Sequence, residues 1–245
     1  MKRIVLFFSL LVIIFFVIAF KINHPLSAAI HFIRGKKTIS QRIKPFEKRI
    51  REQLKKDFER VHISYPPNRV VFVGIKKSKQ LEVWVSEKEA PLTFLKSYPI
   101  LGASGRLGPK LKEGDQQVPE GLYQIESLNP NSLYHLALRI NYPNKFDQIK
   151  GREDGRTNLG SDIMIHGKSC SVGCLAMGDK TIEELFVLAV DTGIDHISVI
   201  LTPVDFRIDT HPVKIKNAPK WTPELYRLIE EMLKKQTPKK KANAF

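Results

Sequence analysis

The chain has 245 residues, with 40 Lys and Arg against 25 Asp and Glu, a formal net charge of +15 and a pI of about 9.8. That length holds one well-packed core plus extensions, and the charge admits an anionic partner: nucleic acid, acidic lipid or an acidic polymer. Nucleic acid is set aside, because the chain has no nucleic-acid motif and no interleaving of aromatic with basic residues. A structural metal is set aside too, because Cys170 and Cys174 stand alone without the further ligands a zinc site needs.

In chain order, Lys2 and Arg3 precede an apolar run from Ile4 to Phe20 that only Ser9 interrupts. The run exceeds a usual signal-peptide core of about 7–15 residues and sits near the lower limit for a spanning helix, about 17. Residues 1–22 are therefore expected to form an uncleaved membrane anchor. Ser27-Ala28-Ala29 offers small residues for cleavage if the segment is removed instead and the protein secreted. Residues 23–67 read as a basic amphipathic helical linker. Ile43, Phe46, Ile50, Leu54, Phe58 and Val61 recur at three- and four-residue steps among Lys, Arg and Glu. Such a helix either lays its basic face on anionic lipid or packs on the domain that follows. Tyr65-Pro66-Pro67-Asn68 marks the boundary.

Residues 68–205 read as a mainly β, β-rich α+β domain. Strands are expected at Arg69–Ile75, Leu81–Val85 and Leu92–Ile100, joined by short polar turns as an antiparallel meander. Gly102 to Gly114 is loop. Further strands fall at Leu122–Ile125 and Tyr134–Ile140, and Asn144 to Asn158 reads as charged and irregular. A short strand, Ile163-Met164-Ile165, ends on His166-Gly167; a tight Ser/Gly turn then presents Cys174 ahead of a helix. That helix is expected to open with Asp179 as N-cap and Thr181/Glu184 as a capping box, and to stop at Gly193. Ile197–Leu201 closes the domain. Residues 206–245 form an extension with a helix opened by Thr222-Pro223 and a basic tail.

The segment from His166 to Cys174 carries the chemistry. A free thiol has a pKa of about 8.5 and needs a base at neutral pH; an imidazole, at about 6.5, takes and returns that proton. Ser171-Val172-Gly173-Cys174 is small enough to aim backbone N–H groups inward, as an oxyanion site requires. Acyl transfer through Cys174 follows, with Cys174 expected to be alkylated faster than Cys170. The alternative is a buried apolar Cys beside a His bonded to backbone.

His166-Gly167 followed by Ser171-Val172-Gly173-Cys174-Leu175-Ala176 resembles the motif of the L,D-transpeptidase (YkuD-type) catalytic domain family, and within it the YafK-like branch. Other blocks agree: Ser104 to Lys110, Glu113-Gly114-Asp115, Val118 to Tyr123 and Ile140 to Asn144, so the resemblance spans roughly residues 68–205. It implies a β-sandwich or barrel core with a helix after the catalytic Cys and flanking helices at both ends. It implies Cys174 as nucleophile and His166 as general base, with backbone N–H groups of Ser171, Gly173 and Gly167 as oxyanion donors, and neither metal nor organic cofactor. The implied substrates are peptidoglycan stem peptides, in the periplasm, with the chain held at the inner membrane. The implied activity is transpeptidation in cell wall biogenesis. The branch also suggests hydrolysis that frees a peptidoglycan-linked lipoprotein or a stem residue, and an inactive peptidoglycan-binding module is the non-enzymatic alternative. Two motif positions depart: the family's Arg is Ala176 here and its second His is Val172. Arg139, Arg156 and Tyr142 are the candidates for contacting substrate in their place.

Overall fold

The strand Arg69–Ile75 (β1) is an almost unbroken apolar run because it is covered on both faces. Its alternate residues enter two different clusters. Val70 and Phe72 pack with Ile50, Leu54, Phe58, Leu185 and Phe186, whereas Val71, Val73 and Ile75 pack with Trp221, Leu225, Ile229 and Leu233. The structure, a computed structural model, describes residues 35–209, 213 and 215–237. The expected anchor (1–22) and the end of the basic tail lie outside these. Among the described residues no helix is long and apolar enough to cross a membrane.

The elements run α1 (Ile39–Ile43), α2 (Glu47–Arg60), β1, β2 (Gln80–Ser86), β3 (Thr93–Pro99), β4 (Gly102–Ala103), β5 (Gly121–Asn129), β6 (Ala137–Ile140), α3 (Lys145–Glu153), β7 (Met164–His166), β8 (Leu175–Ala176), α4 (Asp179–Thr192), β9 (Ile197–Thr202) and α5 (Thr222–Gln236). Among the described residues nine strands form one mixed sheet, order β3-β2-β1-β9-β5-β6-β7-β8-β4, curled into a half-barrel. The expected meander β1-β2-β3 is present and antiparallel. Two parallel pairs, β1 with β9 and β7 with β8, join segments far apart or tightly looped in sequence.

Both flanking helices belong to the two cores. The apolar stripe of α2 enters the same cluster as α4, and its basic face meets an acidic one. Arg51 binds Asp191 at 2.9 Å, Arg49 reaches Glu183, and Lys96 of β3 bridges Asp57 and Glu184. The helix read as a linker is thus ion-paired to the domain along part of its basic face. Residues 144–158, expected to be irregular, contain α3 instead. Asn144 caps it by accepting from the Asp147 N–H while the Asp147 carboxylate accepts from the Asn144 N–H.

One buried ion pair ties β1, the 105–118 loop and α5 together. Lys76 Nζ lies 2.9 Å from Glu120 Oε1 and donates to the Gly108 and Val118 carbonyls; Glu120 also accepts from the Gly108 N–H and the Tyr226 hydroxyl. The Glu120 side chain is fully buried. Lys76→Met would leave that carboxylate uncompensated, and breaking such pairs costs about 3–5 kcal/mol. We expect a drop in Tm of roughly 10 °C by calorimetry for a domain this size; an unchanged Tm would show that the pair contributes nothing.

Candidate active site

Three short strands set the site. In β6, β7 and β8 the registered pairs are Ala137 with His166 and Arg139 with Met164 on one side, and His166 with Ala176 on the other. Paired residues project from the same face, so Arg139, Met164, His166 and Ala176 share one face while Leu138, Ile165 and Leu175 enter the core. Cys174 precedes β8 by one residue, and continuing the register sets it opposite Met164, on the face of His166. The two Cα atoms are then diagonal neighbours, on the order of 8 Å apart from strands about 4.8 Å apart and about 3.3 Å per residue. The flanking Ala137 and Ala176 leave the imidazole room on both sides.

His166 is 2% exposed. Its Nδ1 lies 2.7 Å from the Gly167 carbonyl oxygen. A carbonyl only accepts, so Nδ1 carries the proton and the neutral ring keeps its lone pair on Nε2, the atom a general base needs. Burial pulls the imidazole pKa down, opposed in part by that hydrogen bond. The Tyr134 ring stacks on the imidazole, centroids 4.6 Å apart. Gly167 follows because nothing larger fits: a Cβ there would lie 2.6 Å from the Tyr134 carbonyl oxygen and from Asp179 Oδ1.

The Cys174 thiol is partly buried, and burial pushes its pKa up. The Sγ donates to the Asp162 carbonyl at 3.6 Å, and the Met164 N–H points at the sulfur. Burial thus favours the neutral form of both groups, with the thiol turned towards the Asp162 carbonyl rather than His166. Apo sites often hold such contacts loosely until substrate arrives. Both cysteines are free.

Two serines clasp the turn. Ser104 Oγ accepts from the Gly173 N–H at 2.6 Å and donates to the Gln116 carbonyl; Ser171 Oγ accepts from the Ser104 N–H and donates to the Cys174 carbonyl at 2.6 Å. Gly173 has φ +91°, which glycine adopts at least cost. Asp179, expected to cap α4, is its first residue; the N-cap is Gly178, and the Asp179 carboxylate instead accepts from the Lys168 N–H at 2.8 Å, fixing the start of the turn.

Several expected roles need correction. The Gly167 N–H donates to the Leu136 carbonyl as the β6–β7 ladder continues, so it is spent. The Gly173 N–H is engaged by Ser104, so an oxyanion would have to displace that hydroxyl. Ser171 is seen here through its hydroxyl, which orients the Cys174 carbonyl. Tyr142 is a core residue, 4% exposed, with its hydroxyl on the Leu159 carbonyl and its ring against Tyr123. Arg156 is not on the Cys174 face: it is tied to the Leu111 carbonyl and Asp154, lies over Trp221 and lines the cavity on the far side of Gln117. Arg139 is the one of the three on the Cys174 face, paired to Asp162 and Glu126 at 2.9 Å each. Ser104, Tyr134 and Asp162 were missed as site residues. Among the described residues no group of three or more His, Cys, Asp or Glu is placed to hold a metal ion.

Burial also reverses the expected order of alkylation, because the thiolate is the reactive form. Cys170 is exposed, whereas Cys174 is partly buried with its pKa raised. At pH 7 iodoacetamide is expected to label Cys170 first and Cys174 more slowly, by peptide mass mapping. Faster labelling of Cys174 would show that its thiolate is stabilised in solution.

A turn-borne cysteine and an oriented imidazole thus share one strand face of the half-barrel. The model of the L,D-transpeptidase catalytic domain (YkuD) matches residues 68–215, and the chain belongs to that family. It is 39% identical over 119 residues to the Escherichia coli (strain K12) protein named "Putative L,D-transpeptidase YafK", covering 47% of this chain and 46% of that one. The chain thus matches about half the length of its curated relatives. Among solved structures it is similar to the helical cell shape determining protein Pgp2 from Campylobacter jejuni (18% identity, 72% of this chain and 73% of that one, TM-score 0.44). It is also similar to Mycobacterium tuberculosis L,D-transpeptidase 1 (14% identity, 55% and 62% covered, TM-score 0.31).

Proposed function

We propose that this protein is a cysteine acyltransferase acting on peptidoglycan stem peptides through a thioester on Cys174. The observation that carries the reading is the 2.7 Å contact of His166 Nδ1 with the Gly167 carbonyl oxygen, which holds the proton on Nδ1 and leaves a basic Nε2 on the residue diagonal to Cys174 on the same face. His166 Nε2 takes the thiol proton, and the sulfur attacks the carbonyl of an L,D peptide bond. The C–N bond breaks, the leaving amine takes the proton back from His166, and the acyl group stays on sulfur. An acceptor amine then attacks the thioester and regenerates the thiol, which is transpeptidation. Arg139, on the Cys174 face, supplies the positive charge there in place of the motif Arg, and a substrate carboxylate would exchange with its partner Asp162 or Glu126. The apolar run at residues 4–20 is taken to hold the domain on the periplasmic side of the inner membrane, where such stems lie.

The test is to incubate the full chain with muropeptides and with lipoprotein-linked sacculi and follow products by mass spectrometry. Exchanged or cross-linked stems, with an acyl adduct on the Cys174 peptide, are expected. Freed lipoprotein or shortened stems without exchange would replace transfer by hydrolysis. Products identical to those of Cys174→Ala would leave only a binding module.

A further inference from the structure

A cavity of about 630 Å³ opens beside the site, between the 105–117 loop and residues 215–219. Its walls are amphiphilic. Leu107, Leu111 and Ile215 supply apolar surface, and Arg106, Lys112, Arg156 and Lys216 supply cations. One carboxylate, Asp115, faces them, and its charge is already answered: Oδ1 accepts from Lys110 Nζ and the Gln117 N–H, Oδ2 from the Leu111 and Lys112 N–H groups. Arg156 is compensated by Asp154 at 3.0 Å. The side chains of Arg106, Lys112 and Lys216 make no ion pair among the described residues, which leaves three positive charges around one concave site.

The cavity adjoins the nucleophile's turn through Gln117. Its side-chain amide donates to the Arg106 and Gly108 carbonyls, which shapes the cavity loop. Its backbone carbonyl oxygen lies 3.4 Å from where a Cβ on Gly173 would stand, against the turn that presents Cys174. A peptide on Cys174 therefore has a cationic, partly apolar cavity next to it. The size lies within the range of small-ligand sites, about 300–1,000 Å³, and uncompensated cations select carboxylates.

We infer that this cavity is a specificity subsite for a peptide arm carrying a carboxylate at the end of an aliphatic chain. In taking that arm from the peptidoglycan stem, the inference rests on the function proposed above. Binding is measured by calorimetry on full-length Cys174→Ala, which cannot turn over, with a stem tetrapeptide and with its analogue amidated at the side-chain carboxylates. Arg106→Gln/Lys216→Gln is expected to weaken the free acid about tenfold or more, about 1.4 kcal/mol, and to leave the amide unchanged. Lys112→Gln alone, at an exposed position, is expected to give a smaller loss in the same direction, and serves if the double variant does not fold. Equal affinity of acid and amide for the parent protein overturns the subsite. So does unchanged affinity of the acid for the folded variants. If muropeptides acylate Cys174 with KM unchanged in Arg106→Gln/Lys216→Gln, the subsite falls and the acyltransferase stands. If no stem acylates Cys174 yet acidic peptides still bind with this dependence on Arg106 and Lys216, the acyltransferase falls and the subsite stands.

Discussion

Cys174→Ala is expected to abolish the acyl-enzyme and to lower stem-peptide turnover by on the order of 10⁴-fold or more, the scale seen when a catalytic nucleophile is removed. The argument is covalent rather than energetic. No other thiol lies on the His166 face: Cys170 is exposed within the turn, and β6 and β8 offer Ala137, Arg139 and Ala176 there. The fold should survive, because the turn is held by Ser104, Ser171 and Asp179, none of which bonds the sulfur. Thermal unfolding is therefore expected within about 1 kcal/mol of the parent, so lost activity cannot be charged to lost structure. Cys170→Ala is the companion variant and should keep full turnover. If Cys170→Ala is dead and Cys174→Ala active, the nucleophile has been misassigned.

Why was the pair His166/Cys174 legible in the sequence while most of its surroundings were not? The pair is local. A strand, a turn and a second strand within a dozen residues put both on one face, and the small residues of the turn announced it. Ser104 and Arg139 come from other segments, and nothing in their neighbourhoods says that β4 pairs with β8 or that β6 lies beside β7. Tyr142 misled for the opposite reason. An aromatic next to Asn and Pro looks like a cleft residue, yet β5 brings Tyr123 against it and closes it into the core. α3 is hard to read from the sequence because Gly151 and five charged residues dilute its periodicity, although Asn144-x-x-Asp147 fits a helix start. The meander was readable from alternation and short turns. The parallel closure of β9 on β1 was not, since it joins segments more than a hundred residues apart. The outer helices were readable as helices but not as parts of the core, because amphipathicity says that a face is buried and not against what.

The pH dependence of the site separates two ways of activating a thiol. In one, Cys and His rest as thiolate and imidazolium, and the thiol pKa falls far below 8.5. In the other, both rest neutral and the proton moves only as the sulfur attacks. Burial favours the second here, since it lowers the His166 pKa and raises that of Cys174. The base must be neutral, so kcat/KM should climb as pH rises through the His166 pKa, which burial holds below the usual imidazole range, and level off above it. His166→Gln removes the base. What remains must come from direct ionisation of the thiol, so its rate should fall by about 10²–10⁴ at pH 7 and then rise roughly tenfold per pH unit towards pH 9. Stability should follow the same group with a definite sign. The folded pKa is depressed, so the unfolded chain binds the proton first. Stability contributed by neutral His166 is present above about 6.5 and is lost as pH falls below it towards the folded pKa. His166→Gln should remove that component of the acid loss, seen by comparing Tm at pH 7 and pH 5. The decisive measurement is iodoacetamide labelling of Cys174 against pH in the parent chain. A rate still rising above pH 8 is expected. A rate already maximal at pH 6 would mean that sulfur and imidazole rest as an ion pair, and that a positive group near Cys174 outweighs its burial.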